Sequence, residues 1–74
     1  MTTVSSVVYV DTEVLSGTPC FVGTRVPIQT LMDYLRFGDR VADFLDDFPT
    51  VQREQVEAVL DVAGEAVTLY ARSA

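Results

Sequence analysis

The segment GTPCFVGTRVP, residues 17–27, constrains the fold of this chain more than any other feature. Gly23 and Thr24 separate the apolar triplet Cys20-Phe21-Val22 from Arg25-Val26, as a tight turn does between two extended pieces. Pro27 then fixes φ at a value that suits entry into a helix. The segment therefore predicts a hairpin or loop that leads directly into a helical unit.

A second extended piece is expected before this segment. Residues 4–10 read VSSVVYV, a valine-rich run with one tyrosine and no helix-favouring residue, which is typical of a strand. Strands this short are not stable alone in water. We therefore expect the N-terminal strands to pair with those of a second copy across a two-fold axis.

Three amphipathic helical patterns follow the hairpin. Each repeats apolar residues at i, i+3, i+4 and i+7, the spacing of a helix that turns one face to a core. The first runs over Ile28, Leu31, Met32 and Leu35, the second over Val41, Phe44, Leu45 and Phe48, and the third over Val56, Val59, Leu60, Ala63, Val67 and Tyr70.

The ends of these helices are also marked. Asp39 and Thr50 are expected to cap the second and third helices, and Pro49 ends the second. Gly64 lies inside the third pattern, where glycine costs roughly 1 kcal/mol relative to alanine. The third helix is therefore expected to bend at Gly64 or to approach a neighbouring backbone closely there.

At 74 residues the chain is one domain. It divides into an N-terminal strand and turn region, residues 1–27, and a three-helix unit, residues 28–74. The predicted fold class is mainly α, with a helix-turn-helix-like unit behind short N-terminal β-strands. A domain this small buries only about 60% of its unfolded surface.

The apolar surface exceeds what one small core can use. Hydrophobic residues make up 49% of the chain, and a second apolar stripe widens the third helix. We therefore predict a homodimer and a partner-binding surface. The predicted contact residues of that surface are Val62, Ala66, Leu69 and Tyr70.

The net charge of −6 disfavours non-specific binding to phosphate backbones and favours a basic partner protein. Asp43, Asp46 and Asp47 lie on the polar side of the second helix and are predicted to steer such a partner. Their spacing does not fit a calcium loop, so no metal site is predicted.

A DNA-binding role is the alternative. The third helix would then be the reading helix, with Gln52, Arg53 and Gln55 towards the nucleic acid. Arg25, Arg36 or Arg40 would contact the nucleic-acid backbone. Glutamates in the same turns would be repelled by phosphates.

Arg25 has two interpretations of its own. It could receive a carboxylate or a phosphate from a partner. We favour an intramolecular pair with Asp11, Glu13 or Asp33, which would hold the loop against the helices.

Nothing in the sequence indicates catalysis. Cys20 is the single cysteine and there is no histidine, so no internal disulfide and no ordinary zinc site can form. Cys20 is expected to be a small core residue in a reduced, cytoplasmic protein. No catalytic residue, cofactor, signal peptide or membrane span is predicted.

The residues of these patterns resemble a known prokaryotic family, the domain of unknown function 433. The resemblance covers residues 7–60, and its core phrase, G-x-P-x-apolar-x-G-T-R-apolar-P, is complete here. It rests on Gly17-Thr18-Pro19-Cys20-Phe21-Val22-Gly23-Thr24-Arg25-Val26-Pro27-Ile28, Leu31, Tyr34-Leu35, Gly38, Phe44-Leu45, Phe48-Pro49 and Glu54-Gln55-Val56.

That family implies a homeodomain-like three-helix unit, usually dimeric, with a small N-terminal strand region. It also implies the role of antitoxin in a type II toxin–antitoxin pair whose toxin is a PIN-like ribonuclease. The family offers no catalytic residues to transfer, and the acidic third helix departs from its proposed DNA-binding surface. A dimeric scaffold module is the third candidate role.

Overall fold

The computed structural model describes residues 4–13 and 15–73. Two very short strands, one α-helical turn and one 3₁₀ turn precede three longer helices. In chain order the elements are α1 (Val4–Val7), β1 (Val8–Tyr9), a 3₁₀ turn (Leu15–Gly17), β2 (Cys20–Phe21), α2 (Ile28–Arg36), α3 (Val41–Asp47) and α4 (Arg53–Ser73). The predicted mainly helical fold with short N-terminal strands is confirmed.

The hairpin predicted around Gly23 is present. The amide of Phe21 donates to the carbonyl of Val26 at 3.0 Å, and the amide of Thr24 donates to the carbonyl of Phe21 at 3.1 Å. Gly23 has a φ of 80°, which a residue with a Cβ adopts poorly. Pro27 follows with a φ of −66° and immediately precedes α2.

The strand predicted over residues 4–10 is wrong for most of its length. Only Val8–Tyr9 pairs, antiparallel to Cys20–Phe21, whereas Val4–Val7 forms one helical turn. The partner strand ends after two residues because the chain turns at Gly23. The helical turn Val4–Val7 packs against α4, while the carbonyl of Val7 still accepts the amide of Val22 at 2.8 Å.

The core lies where the hairpin meets the three helices. Phe21, Leu31, Phe44 and Val56 are fully buried, so each predicted helical pattern contributes a residue to the same cluster. The ring centroids of Phe21 and Phe44 are 6.0 Å apart, within the range of favourable aromatic pairs. Cys20 is also fully buried, as expected of a core residue.

Both predicted helix caps are displaced. The residue before α3 is Arg40, not Asp39, and its amide donates to the Asp43 carboxylate at 2.8 Å. The third helix begins at Arg53, three residues after Thr50, because the chain makes a further turn first. That turn places Val51 in the core at 4% exposure.

The outer part of α4 differs from the prediction as well. Val67 and Tyr70, assigned to the core from their spacing, are 67% and 76% exposed. The helix runs unbroken through Gly64, and a Cβ built there would meet no atom within 4 Å. Gly64 thus neither ends the helix nor permits a close contact within the described chain.

Candidate partner-binding surface

The helix α4 has two halves in different surroundings. Its proximal half, residues 53–63, carries Val56 and Val59, which are at most 8% exposed. Every residue of its distal half, residues 64–73, whose burial is described is exposed. A helix of 21 residues is about 31 Å long, so roughly half of α4 extends past the body that buries its first turns.

The four apolar residues predicted to bind a partner all lie on α4. Val62 is 38% exposed, Leu69 is 57% exposed and Tyr70 is 76% exposed, and Ala66 lies between them. The spacing of Val62, Ala66 and Leu69 is i, i+4 and i+7, which puts them on one face of the helix. Tyr70 follows Ala66 at i+4. The structure therefore brings Val62, Ala66, Leu69 and Tyr70 together as one apolar strip, called the α4 strip below.

A groove of about 610 Å³ opens at the base of the α4 strip. Its walls come from α1 and β1, the segment before β2, the first turns of α2, and α4. No charged residue lines it. The lining residues are Val7, Val8, Val10, Thr18, Pro19, Ile28, Gln29, Met32, Val59, Val62 and Ala63.

Sequence reasoning did not find this groove. Val10 is 61% exposed and Met32 is half-buried, although both belong to patterns that predicted burial or pairing. The excess of apolar residues signalled that some apolar surface would stay open. It could not locate that surface, because the groove is formed by segments far apart in the chain.

The three predicted steering aspartates lie on or near α3, and no α3 residue lines the groove. Two of them have structural roles. The Tyr34 hydroxyl donates to Asp47 at 2.6 Å, and Asp43 accepts the amide of Arg40. Asp46 is exposed, so among these three it is the one best placed to act only through its charge.

These hydrogen bonds perturb two side chains. The bond to Asp47 raises the pKa of Tyr34 above its ordinary value, and desolvation and nearby carboxylates act in the same direction. The amide of Arg40 lowers the pKa of Asp43, and the guanidinium of Arg40 contributes because its Nε lies 3.6 Å from Oδ2 of Asp43. Among the described residues, no group of three or more His, Cys, Asp or Glu side chains could hold a metal ion.

The residues of the alternative, nucleic-acid-binding interpretation lie in the hairpin and at the start of α4. Gln55 joins the helix to the hairpin, since its Nε2 donates to the carbonyl of Val22 at 2.9 Å. Its Oε1 accepts the amide of Gln52 at 2.9 Å and thereby caps the helix. Both ends of the Gln55 amide are thus engaged within the chain, while Arg25 in the hairpin and Arg53 at the start of α4 are exposed.

The expected pair between Arg25 and Asp11, Glu13 or Asp33 is not formed. Over residues 4–13 and 15–73, the structure contains one ion pair, between Arg40 and Asp43. The hairpin is instead held by the Gln55 contact and by the Tyr9 hydroxyl, which donates to the carbonyl of Thr24 at 2.6 Å. Neutral hydrogen bonds hold the hairpin where a salt bridge was expected.

Comparison with known proteins gives one match. The family model described as protein of unknown function (DUF433) matches residues 8–63, which is most of the chain. No curated protein and no solved structure matches the chain. The matched region ends at Ala63, where the burial of α4 also ends, so the distal half of α4 lies outside it. No helix among the described residues is long and apolar enough to cross a bilayer.

Proposed function

Because the chain belongs to the DUF433 family, we propose that it is the antitoxin-like component of a type II toxin–antitoxin pair and that it binds and neutralises a PIN-like ribonuclease. This is the role that the resemblance of its sequence implies. The observation that carries the proposal is the α4 strip, an apolar helix face that continues beyond the core. Exposed apolar strips of this kind are typical of surfaces that a partner covers.

In this proposal the chain is a cytoplasmic, non-enzymatic protein that needs no cofactor and is a homodimer when free. Leu69 and Tyr70 are the anchors of the contact, since large apolar and aromatic side chains contribute most to interface energy. The net charge of −6 adds attraction towards a basic nuclease surface, with Asp46 as an exposed acid of α3. Neutralisation is then steric, because the helix covers the nuclease surface.

Co-expression with the nuclease encoded beside this chain tests the proposal. We expect a stable complex in which ribonuclease activity is suppressed. The substitution Leu69→Asp places a charge in the contact and should weaken the complex at least tenfold. The matched control is Thr68→Asp, which adds the same charge to the opposite face of the helix and should leave inhibition intact.

If the complex does not form, or if Leu69→Asp and Thr68→Asp inhibit equally well, the α4 strip is not the toxin-binding surface.

The steering role of α3 has a separate test. Asp46→Lys should slow association at low salt, and the difference should disappear at high salt. An unchanged rate at low salt would contradict that role while leaving the complex itself in place.

A DNA-binding regulator is the second candidate, and the exposure of Arg25 and Arg53 favours it. Binding of the chain to its own promoter in a gel shift, lost in Arg53→Ala, would support it. The net charge and the engaged amide of Gln55 favour the antitoxin role instead. A chain that binds neither nuclease nor DNA would be a dimeric scaffold module.

A further inference from the structure

The apolar groove and the α4 strip have the same chemistry and lie next to each other along one helix. Val59, Val62 and Ala63 form one wall of the groove. The same helix face continues through Ala66 to Leu69. The positions 59, 62, 66 and 69 follow the a and d spacing of a heptad, which is the spacing of a seam between two packed helices.

We propose that the groove is filled by the distal half of α4 from a second copy of this chain. The dimer is isologous, so each copy offers one helix and one groove. The two α4 helices run antiparallel, because only then does residue 66 of each copy lie beside residue 62 of the other. In this register Val59 packs against Leu69 of the second copy, and Val62 packs against Ala66 of the second copy.

The small side chain of Ala66 near the centre suits this arrangement. Helices with small residues at their crossing can approach to about 8 Å, the lower end of ordinary helix spacing. Larger residues at the ends of the seam, Leu69 and Tyr70, then extend over the groove of the second copy. Val10, on the far wall and 61% exposed, is covered by the same contact.

The area available for the contact follows from the dimensions of α4. Residues 59–70 form a helix segment about 18 Å long and about 10 Å wide. Two helix faces and two grooves of that size measure roughly 700 Å² when taken as flat, and the ridged accessible surface is larger. This estimate is below about 1,200 Å², where specific interfaces begin, so a weak dimer is expected.

The charge of the chain distinguishes this contact from one with a basic partner. Two copies that each carry −6 repel one another, while the contact itself is apolar. Added salt screens the repulsion and so should strengthen the dimer. A contact with a basic protein should weaken under the same conditions.

The inference places the homodimer interface on α4, in place of the pairing of N-terminal strands expected from the sequence. It rests on the proposed function in one respect: the nuclease and the second copy then compete for the α4 strip. Release of the strip from the groove would precede toxin binding. The interface and the toxin-binding role nevertheless fail separately. A monomeric chain that still inhibits the nuclease would overturn the interface alone.

Sedimentation equilibrium of the full chain tests the interface. The wild type should be a dimer at micromolar concentration and should dissociate less in high salt. Val10→Asp disables the groove and Leu69→Asp disables the helix, so each variant alone should dimerise at least tenfold more weakly. Mixing the two variants should give a dimer stronger than either variant alone and weaker than the wild type, because one of the two helix–groove contacts is then intact and the other carries both substitutions. Thr68→Asp is the control and should dimerise as the wild type does.

A monomeric wild type would overturn the proposal, as would single variants that dimerise like the wild type or a mixture no stronger than its components. Circular dichroism establishes that each variant is folded. If Val10→Asp does not fold, Gln29→Asp takes its place in the groove, and Ala66→Asp can replace Leu69→Asp on the helix. Val10→Asp should also retain nuclease inhibition, which separates the groove from the toxin contact.

Discussion

The two halves of α4 carry the same apolar periodicity and have opposite surroundings. In the proximal half, Val56 and Val59 are buried against the hairpin, α1 and the other helices. In the distal half, Val67 is 67% exposed although its spacing is equivalent. The difference teaches that periodicity decides which face of a helix is apolar, whereas the rest of the molecule decides whether that face is covered.

The two halves of α4 should also differ in the stability of their helical structure. A helix of about ten residues is marginal by itself in water, since nucleation is unfavourable and few hydrogen bonds repay it. The distal half is helical because it propagates from a proximal half that is fixed by the core. We therefore expect its amide hydrogens to exchange faster than those of the proximal half in the monomer.

The largest expected effect is the difference in the free energy of unfolding between alanine substitutions at two valines of α4. Val56→Ala removes two buried methyl groups and leaves a cavity, which should lower the free energy of unfolding by about 2 kcal/mol. Val67→Ala removes the same atoms from an exposed site and should change it by less than about 0.5 kcal/mol. Urea unfolding of dilute protein measures both. Similar losses would mean that the distal half is as well packed as the proximal half.

A smaller effect is expected where the proximal half is anchored to the hairpin. Gln55→Ala removes the donor to the Val22 carbonyl and the acceptor for the Gln52 amide. The loss of a helix cap together with a tertiary hydrogen bond should lower the free energy of unfolding by about 1 to 2 kcal/mol. Gln52→Ala is the matched control, since it keeps the backbone amide and both hydrogen bonds. An equal loss in the control would assign the effect to helix propensity.

A substitution at Gly64, at the junction of the two halves of α4, should stabilise the protein, whereas the preceding substitutions destabilise it. Its φ is not in the left-handed region and a Cβ there meets no atom within 4 Å. Gly64→Ala should therefore stabilise the helix by up to about 1 kcal/mol and slow amide exchange across the distal half. Destabilisation would reveal a close neighbour at Gly64, such as a second chain.

The smallest effect on stability is expected in α3, where the Asp43 carboxylate stabilises the N-terminal end of the helix. Because the folded state lowers the pKa of Asp43, its contribution to stability is complete above the ordinary value of 3.8 and is lost as pH falls through the lower folded value. Asp43→Asn should flatten the pH dependence of the unfolding midpoint in that window. Asp46→Asn, at an exposed position of the same helix, is the control. Parallel curves for wild type and Asp43→Asn would contradict the capping role.

The helical part of the fold was largely predictable from sequence, because helix periodicity and turn stereochemistry are local properties. Leu31, Phe44 and Val56 each came from a separate helical pattern, and all three are buried. The hairpin at Gly23 followed from residue types within a few positions. The strand over residues 4–10 failed because its length depended on a partner strand that ends after two residues.

The candidate site was predictable only in part. The residues of the α4 strip followed from an apolar stripe that was wider than one core could use. The groove did not, because Val10, Met32 and Val62 become neighbours only after folding. The expected partners of Arg25 were also wrong, since proximity in sequence does not give proximity in space.

The sequence by itself determined that this chain forms a hairpin followed by amphipathic helices, and that it has more apolar surface than its size can bury. Glycine, proline and the helical repeat act over a few residues, so the chain encodes them directly. Only the tertiary structure decided where burial stops along α4 and that Gln55, 33 positions from Val22, fastens the helix to the hairpin. The physical reason is that burial and long-range hydrogen bonds depend on how distant segments meet, and local preferences do not specify that meeting.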